Sequence, residues 1–206
     1  MTRAVVFDLF ETLVDYDEQR SLDFSAAAAD LLGRDRPEFH ALWREGRAAR
    51  DSGPMRDYLA SIGLAGEEAD RVIHLRRANS ARLLAEPRPG VVETIADLRS
   101  RGLRCGLITA CSDDVVDVWE QSSFSGLFGS VVYSCSCGYL KPDPRLYLQA
   151  CEELEVEPAD AIYVGDGTND ELAGAERVGM RAVQIGSSQP WEGERIWSIP
   201  EVLDLL

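Results

Sequence analysis

Ala4-Val5-Val6-Phe7-Asp8-Leu9-Phe10-Glu11-Thr12-Leu13 is the stretch on which the reading of this chain turns. Four apolar residues rich in β-branched and aromatic side chains run into an acid. A short run of that kind reads as a buried strand of a parallel sheet, whose strands are apolar on both faces. Asp8 then falls at the carboxyl edge of the sheet, where open α/β folds hold their reacting groups. A carboxylate there costs free energy to bury unless a cation or hydrogen bonds compensate it. Its partners must come from elsewhere in the chain.

Three downstream segments supply candidates: Leu107-Ile108-Thr109, Lys141-Pro142-Asp143-Pro144, and Tyr163-Val164-Gly165-Asp166-Gly167-Thr168-Asn169-Asp170. Thr109 and Asp166 end or closely follow apolar runs of their own, and Lys141 follows the strand-like Val131-Val132-Tyr133. If these strands are parallel, all the ends point one way. A carboxylate nucleophile, a hydroxyl, an ammonium and two further carboxylates then meet in one crevice. That set suits phosphoryl transfer through an aspartyl intermediate, which splits one difficult step into two. Thr109 would donate to a phosphoryl oxygen together with the amide of Ala110, and Lys141 would offset repulsion between nucleophile and substrate. Lys141 is also the only lysine of the chain.

Around these segments strand-like and helix-like runs alternate, the pattern of an α/β fold. Helical patterning is expected over Val91–Arg101, Asp113–Gln121, Arg145–Leu154, Asp170–Val178 and Glu201–Leu206, and strands over Leu103–Ile108, Val131–Tyr133, Ala161–Val164 and Arg181–Ile185. Residues 16–86 differ. They are rich in Ala, Leu, Arg and Glu and carry no convincing strand. Ser25–Leu32, Glu38–Arg50, Met55–Ile62 and Glu67–Leu84 read as helices, interrupted at Gly53-Pro54 and between Gly63 and Gly66. The expected organisation is an α/β core of residues 1–15 and 87–206 with a mostly parallel sheet, plus an inserted helical cap over 16–86. Hinges fall around Asp15–Asp17 and Glu86–Gly90.

The 206 residues are 45% hydrophobic and 28% charged, ordinary for a globular chain. No apolar run approaches the ~20 residues that span a membrane, and no signal-peptide pattern precedes the first strand. Five cysteines at no zinc-ligand spacing fit reduced thiols and a cytoplasmic protein. The net charge of −15 argues against nucleic acid. A small anionic substrate would need local positive charge, from Lys141 and a bound divalent cation. Monomer and homodimer are both compatible with these features.

The four segments, in this order, resemble the four motifs of the haloacid dehalogenase (HAD) superfamily, and the resemblance covers the whole chain. It implies a hydrolase with a Rossmann-like core and a helical cap inserted after the first strand. It implies Asp8 as nucleophile, Thr109 and Lys141 as catalytic and substrate-binding partners, and Mg²⁺ held by Asp8, the backbone carbonyl of Phe10 and Asp166. Asp170 would lie among the direct ligands or just behind them, although an acid near a helix start also suits the helix dipole.

One position departs from the family pattern. Phosphatases of the superfamily carry a second Asp two residues after the first, and this chain has Phe10. That second Asp protonates the leaving oxygen, help worth ~10²–10⁴ in rate, which Phe cannot give. Family dehalogenases also lack it, yet they generally lack the first acid of the fourth motif, which is kept here as Asp166. Phosphonatase chemistry needs a cap lysine, and residues 16–86 contain none. Three readings follow: a Mg²⁺-dependent phosphatase, a haloacid dehalogenase, or a binding protein with a retained pocket. Glu11 reads as a poor stand-in for the missing acid. His40 and His74 read as packing or surface residues, and the arginines Arg44, Arg47, Arg50, Arg76 and Arg77 read as solvated helix faces ahead of the alternative that one of them binds a substrate anion. Trp191 and Trp197 are expected to pack against the core, and Cys111 to line the crevice.

Overall fold

The apolar runs of the sequence assemble into one parallel sheet. The computed structural model describes residues 1–16, 18–186 and 189–206. Its strands are β1 (Ala4–Phe7), β2 (Arg104–Thr109), β3 (Ser130–Tyr133), β4 (Ala161–Gly165), β5 (Arg181–Ile185) and β6 (Glu194–Ile196). Their order is β3-β2-β1-β4-β5-β6, with every pairing parallel. This is a Rossmann-like α/β fold. Phe7 pairs with Leu107 on one side and Val164 on the other. Asp8 therefore leaves β1 at the same edge where β2 delivers Thr109 and β4 delivers Asp166. The chain reverses its strand order at β1, which opens a crevice at that edge.

Between β1 and β2 come α1 (Glu18–Leu32), α2 (Arg36–Glu45), α3 (Arg47–Asp51), α4 (Met55–Ser61) and α5 (Gly66–Leu84). They pack around their own apolar cluster, which includes Phe24, Phe39, Trp43, Tyr58, Leu59 and Val72. The Trp43 ring lies 4.6 Å from Phe24 and 6.0 Å from Tyr58, centroid to centroid. The core helices are α6 (Val91–Ser100), α7 (Asp113–Val118), α8 (Ser134–Cys137), α9 (Pro144–Glu153) and α10 (Glu171–Arg177). Two further apolar clusters cover the two faces of the sheet, one containing Val5 and Phe7, the other Ala4 and Val6, as the two-residue period of β1 requires. No helix among the described residues is long and apolar enough to cross a membrane, and all five cysteines are free thiols.

The two connections to the helical insertion lie side by side. Val14 bridges Pro87, and the amide of Arg88 donates to Leu13 O at 2.8 Å. The Arg88 guanidinium ties the first connection down through Asp15 at 2.6 Å and Glu11 at 3.3 Å. Glu11 is thus spent on this junction, with φ of 58°, and does not replace an acid in the crevice. Asp17 of the expected first hinge lies outside the described residues.

Several boundaries depart from expectation. The single helix expected over Glu38–Arg50 is two, α2 and α3, meeting at Gly46. The Tyr58 ring packs there so closely that a Cβ on Gly46 would sit 1.9 Å from it. The helix expected over Asp113–Gln121 tightens into a 3₁₀ turn after Val118, and the last one is a 3₁₀ segment over Ile199–Leu205. The strand β6 was not foreseen: Glu194-Arg195-Ile196 carries two charges and one buried residue, the pattern of an edge strand. Trp191 packs against the core as expected, but Trp197 is 66% exposed.

Candidate active site

Asp8 is 4% exposed, one residue beyond β1. Its amide donates to Val164 O at 2.8 Å, which fixes its backbone against β4. Thr12 Oγ1 donates to Asp8 Oδ2 at 3.1 Å, and Lys141 Nζ donates to Asp8 Oδ1. Both oxygens of the expected nucleophile are therefore oriented. Burial raises the pKa of Asp8 above the ordinary carboxylate range. Lys141 works against that shift, and the Asp166 carboxylate adds to it.

Lys141 reaches the site from the turn before α9, which starts cleanly because Asp143 accepts from the Arg145 amide at 3.0 Å and Pro144 opens the first turn. Lys141 is 7% exposed, and its ammonium is held by three groups: Asp8, Glu171, and the Tyr163 hydroxyl at 3.3 Å. Burial disfavours its charge, but the carboxylates of Asp8 and Glu171 outweigh burial and raise its pKa. Those two carboxylates favour its charged form.

Glu171 was not among the expected site residues. It is fully buried at the first turn of α10. Besides Lys141 it accepts from Tyr163 OH at 2.8 Å and from the Gly167 amide at 3.0 Å. Burial, partly offset by Lys141, raises its pKa. Asp8, Asp166 and Glu171 each place a carboxylate oxygen within 4.8 Å of the others. Asp170, the residue expected here, is exposed, lies outside this cluster and precedes α10 with φ of 54°. Asn169 and Asp170 both take left-handed backbone. These two residues turn the chain so that Glu171, not Asp170, enters the site. The fourth segment thus contributes its acids at Asp166 and, five residues on, Glu171.

Asp166 is 2% exposed and oriented by Thr168, whose amide and hydroxyl donate to Oδ1 at 3.1 and 2.8 Å. Thr109 is fully buried at the end of β2, and its Oγ1 has no hydrogen-bond partner among the described residues. A buried hydroxyl left unpaired costs free energy. Ser112 immediately precedes α7, and its hydroxyl donates to the Asp114 side chain instead of capping the helix.

A cavity of about 280 Å³ opens between the helical insertion and the core loops that follow β1 and β2. Phe10, Ala110, Cys111 and Ser112 line it from the core, and the insertion lines it with four arginines, Arg44, Arg47, Arg50 and Arg76, two acids, Glu18 and Asp51, and Tyr16, Ser21, His40 and Trp43. The Phe10 ring packs against Tyr16 at 5.3 Å and presents no titratable group. The arginines correct an expectation. Arg44 and Arg47 are exposed, but Arg50 and Arg76 are 5% and 8% exposed and turn inward. His40 receives or gives a hydrogen bond with Ser25 at Nδ1, 2.8 Å away, and lines the cavity, whereas His74 is exposed. Sequence periodicity misses the inward arginines because helix lengths and the break at Gly46 set where Arg50 points.

Residues 2–179 match the family described as haloacid dehalogenase-like hydrolase. A glyceraldehyde 3-phosphate phosphatase of Methanothermobacter thermautotrophicus is 29% identical over 206 residues, covering 95% of this chain and 90% of the relative. A protein of the same name from Methanopyrus kandleri is 35% identical over 121 residues, 56% of this chain, and the match spans only 51% of that relative. An (S)-2-haloacid dehalogenase 4A of Burkholderia cepacia is 29% identical over 199 residues, covering 89% of this chain and 82% of the relative. Among solved structures, a HAD phosphatase from Thermococcus onnurineus superposes with a TM-score of 0.77 at 22% identity, over 100% of this chain and 97% of the other, which speaks to fold alone.

Proposed function

The chain belongs to the haloacid dehalogenase-like hydrolases, and from that premise we propose that it is a Mg²⁺-dependent phosphatase acting on a small phosphorylated metabolite through an aspartyl-phosphate at Asp8. The observation that carries this reading is the cluster of three buried carboxylates, Asp8, Asp166 and Glu171, within 4.8 Å of one another. Three buried like charges are held together only at a cost, and Lys141 alone does not match their number. Carboxylate oxygens are the donors a hard divalent cation prefers. The site therefore fits Mg²⁺, with Asp8, Asp166, Glu171 and the Phe10 carbonyl as its proposed holders. The ion would supply charge neutralisation between the nucleophile and the phosphoryl oxygens.

The chain's own groups would divide the remaining work. The Asp8 carboxylate attacks phosphorus, and the bond from phosphorus to the leaving oxygen breaks. Thr109 Oγ1, which has no partner among the described residues, donates to a phosphoryl oxygen beside the amide of Ala110. Lys141 stabilises the charge that spreads over the phosphoryl group, and water then opens the acyl-phosphate. Residues 16–86 act as the cap that closes over this chemistry. Phe10 gives no proton to the leaving oxygen.

Phe10 also favours a second reading, a haloacid dehalogenase, because halide leaves without a proton and an apolar wall suits it. One experiment separates the two. Phosphate release from a panel of phosphate esters, with and without Mg²⁺, is measured beside halide release from haloacids. Mg²⁺-dependent phosphate release supports the phosphatase. Halide release that is indifferent to a chelator installs the dehalogenase in its place.

A further inference from the structure

Cys111 and Cys135 meet at the carboxyl edge of the sheet. In the parallel register of β2 and β3, Thr109 lies opposite Tyr133. Each cysteine follows the last residue of its strand by two positions, so the register brings both to the same end. Ser134 ties the two segments together. Its hydroxyl accepts from the Cys111 amide at 3.0 Å and donates to the Asp51 carbonyl of the insertion. Cys111 belongs to the apolar cluster on one face of the sheet, and Cys135 packs against that same cluster. The two thiols hydrogen-bond to each other.

Their surroundings make them unlike. Cys111 is 2% exposed, and burial pushes its pKa up. Cys135 is half-buried, and the hydrogen bond with Cys111 holds its pKa below that of an ordinary thiol. Burial shifts Cys105, Cys137 and Cys151 upward. The Cys137 thiol is also turned to the Tyr133 carbonyl at 3.0 Å. Thiolate is the reactive form of a cysteine. An accessible sulfur that ionises readily, in contact with a second thiol able to resolve it, is the arrangement that favours reversible oxidation.

We propose that Cys111 and Cys135 are a redox-responsive pair, which a peroxide closes into a reversible disulfide that slows the chemistry of the neighbouring site. The Cys135 sulfur attacks one peroxide oxygen and the O–O bond breaks. The departing oxygen takes up the thiol proton and leaves as water, and Cys135 becomes a sulfenic acid. The Cys111 sulfur then attacks the Cys135 sulfur. The S–O bond breaks, and the hydroxyl leaves as a second water with the Cys111 proton. The two sulfurs have given two electrons to the peroxide. A disulfide holds its sulfurs ~2.0 Å apart, closer than hydrogen-bonded thiols, so closure draws Cys111 toward α8. Cys111 lines the cavity and directly follows Thr109 and Ala110. Displacing reacting groups by about 1 Å costs ~10²-fold in rate. The effect on turnover rests on the phosphatase reading, whereas the thiol chemistry does not.

The test treats the reduced full chain with hydrogen peroxide, alkylates the remaining thiols and cleaves after Glu120, which separates the two cysteines. Mass spectrometry should find the peptide of Cys111 linked to that of Cys135. Cys135→Ser should form no link, keep the turnover of the reduced protein and lose its peroxide sensitivity. Cys137→Ser should link as the wild type does. Phosphate release from acetyl phosphate with Mg²⁺ should fall roughly 10- to 100-fold in the linked wild type and return with dithiothreitol. Oxidation of single sulfurs without a link, or a link from Cys111 to Cys105 or Cys137, would overturn the proposal. So would a Cys111–Cys135 link that leaves turnover within about twofold. A reduced protein that releases no phosphate sinks the phosphatase reading alone: the link, read by mass, still upholds the pair, and its absence still overturns it.

Discussion

Phe10 and Glu171 are the two residues on which the chemistry departs from a simple motif reading. Phe10 replaces an acid with an aromatic wall against Tyr16. A phosphatase so built should cleave aryl and acyl phosphates far better than alkyl phosphates, because the former leave without a proton. Phe10→Asp should raise alkyl-phosphate turnover by up to the ~10²–10⁴ of general acid–base help, read by steady-state kinetics on both ester types. An unchanged alkyl rate in a folded variant would mean that proton transfer does not limit the enzyme. Glu171 is the acid the sequence hid. Asp170 stands four residues after Asp166, at an obvious helix start, whereas Glu171 reads as an ordinary residue of the first turn. What decides between them is backbone: Asn169 and Asp170 both have positive φ, 55° and 54°, and no composition rule announces two such residues in a row. Glu171→Gln should therefore weaken Mg²⁺ binding and turnover by tenfold or more, as removing a hydrogen bond to a charged group does. Asp170→Asn should stay within a few-fold, as expected of an exposed group. Titration calorimetry and steady-state rates on both variants check this. The reverse ranking would restore Asp170.

Elements were legible where their pattern is long or their end is marked. The apolar runs at Ala4–Phe7 and Ala161–Gly165 are buried throughout, as expected of strands covered on both faces. The edge strand β6 was not legible, since its three residues carry two charges. The break between α2 and α3 was not legible either, because its cause is tertiary. Gly46 has φ of −79°, open to any residue, and helix propensity alone would favour Ala there by ~1 kcal/mol. The Tyr58 ring reverses that expectation, because a Cβ would meet it at 1.9 Å. Gly46→Ala should lose about 1–3 kcal/mol in urea unfolding, the usual cost of overpacking. A stabilised variant would show that the ring yields freely. The same junction sets the direction of Arg50, so the stability test also probes how firmly the cavity wall is held.

At the scale of the molecule, a parallel sheet whose strand order reverses at β1 brings four distant segments to one edge, and this was readable from the order of strand-end residues. How the insertion meets that edge was not, because it depends on how five helices pack about Trp43. The chain's acidity bears on the whole assembly. If the buried carboxylates await a cation, Mg²⁺ should raise the thermal midpoint of the wild type, by an amount equivalent to about 2.7 kcal/mol at a hundredfold excess over Kd. Asp166→Ala should abolish that shift, and an equal shift in both proteins would place the ion elsewhere. The central claim is that Asp8 itself becomes phosphorylated. It is tested most directly by mixing the protein with acetyl phosphate and Mg²⁺, quenching in acid and locating any adduct by peptide mass spectrometry. The account predicts a phosphoryl group on Asp8 that is lost with a chelator and absent from Asp8→Asn. Phosphate release with Asp8 unmodified throughout, or an ester at Asp8 formed instead from a haloacid without metal, would contradict it.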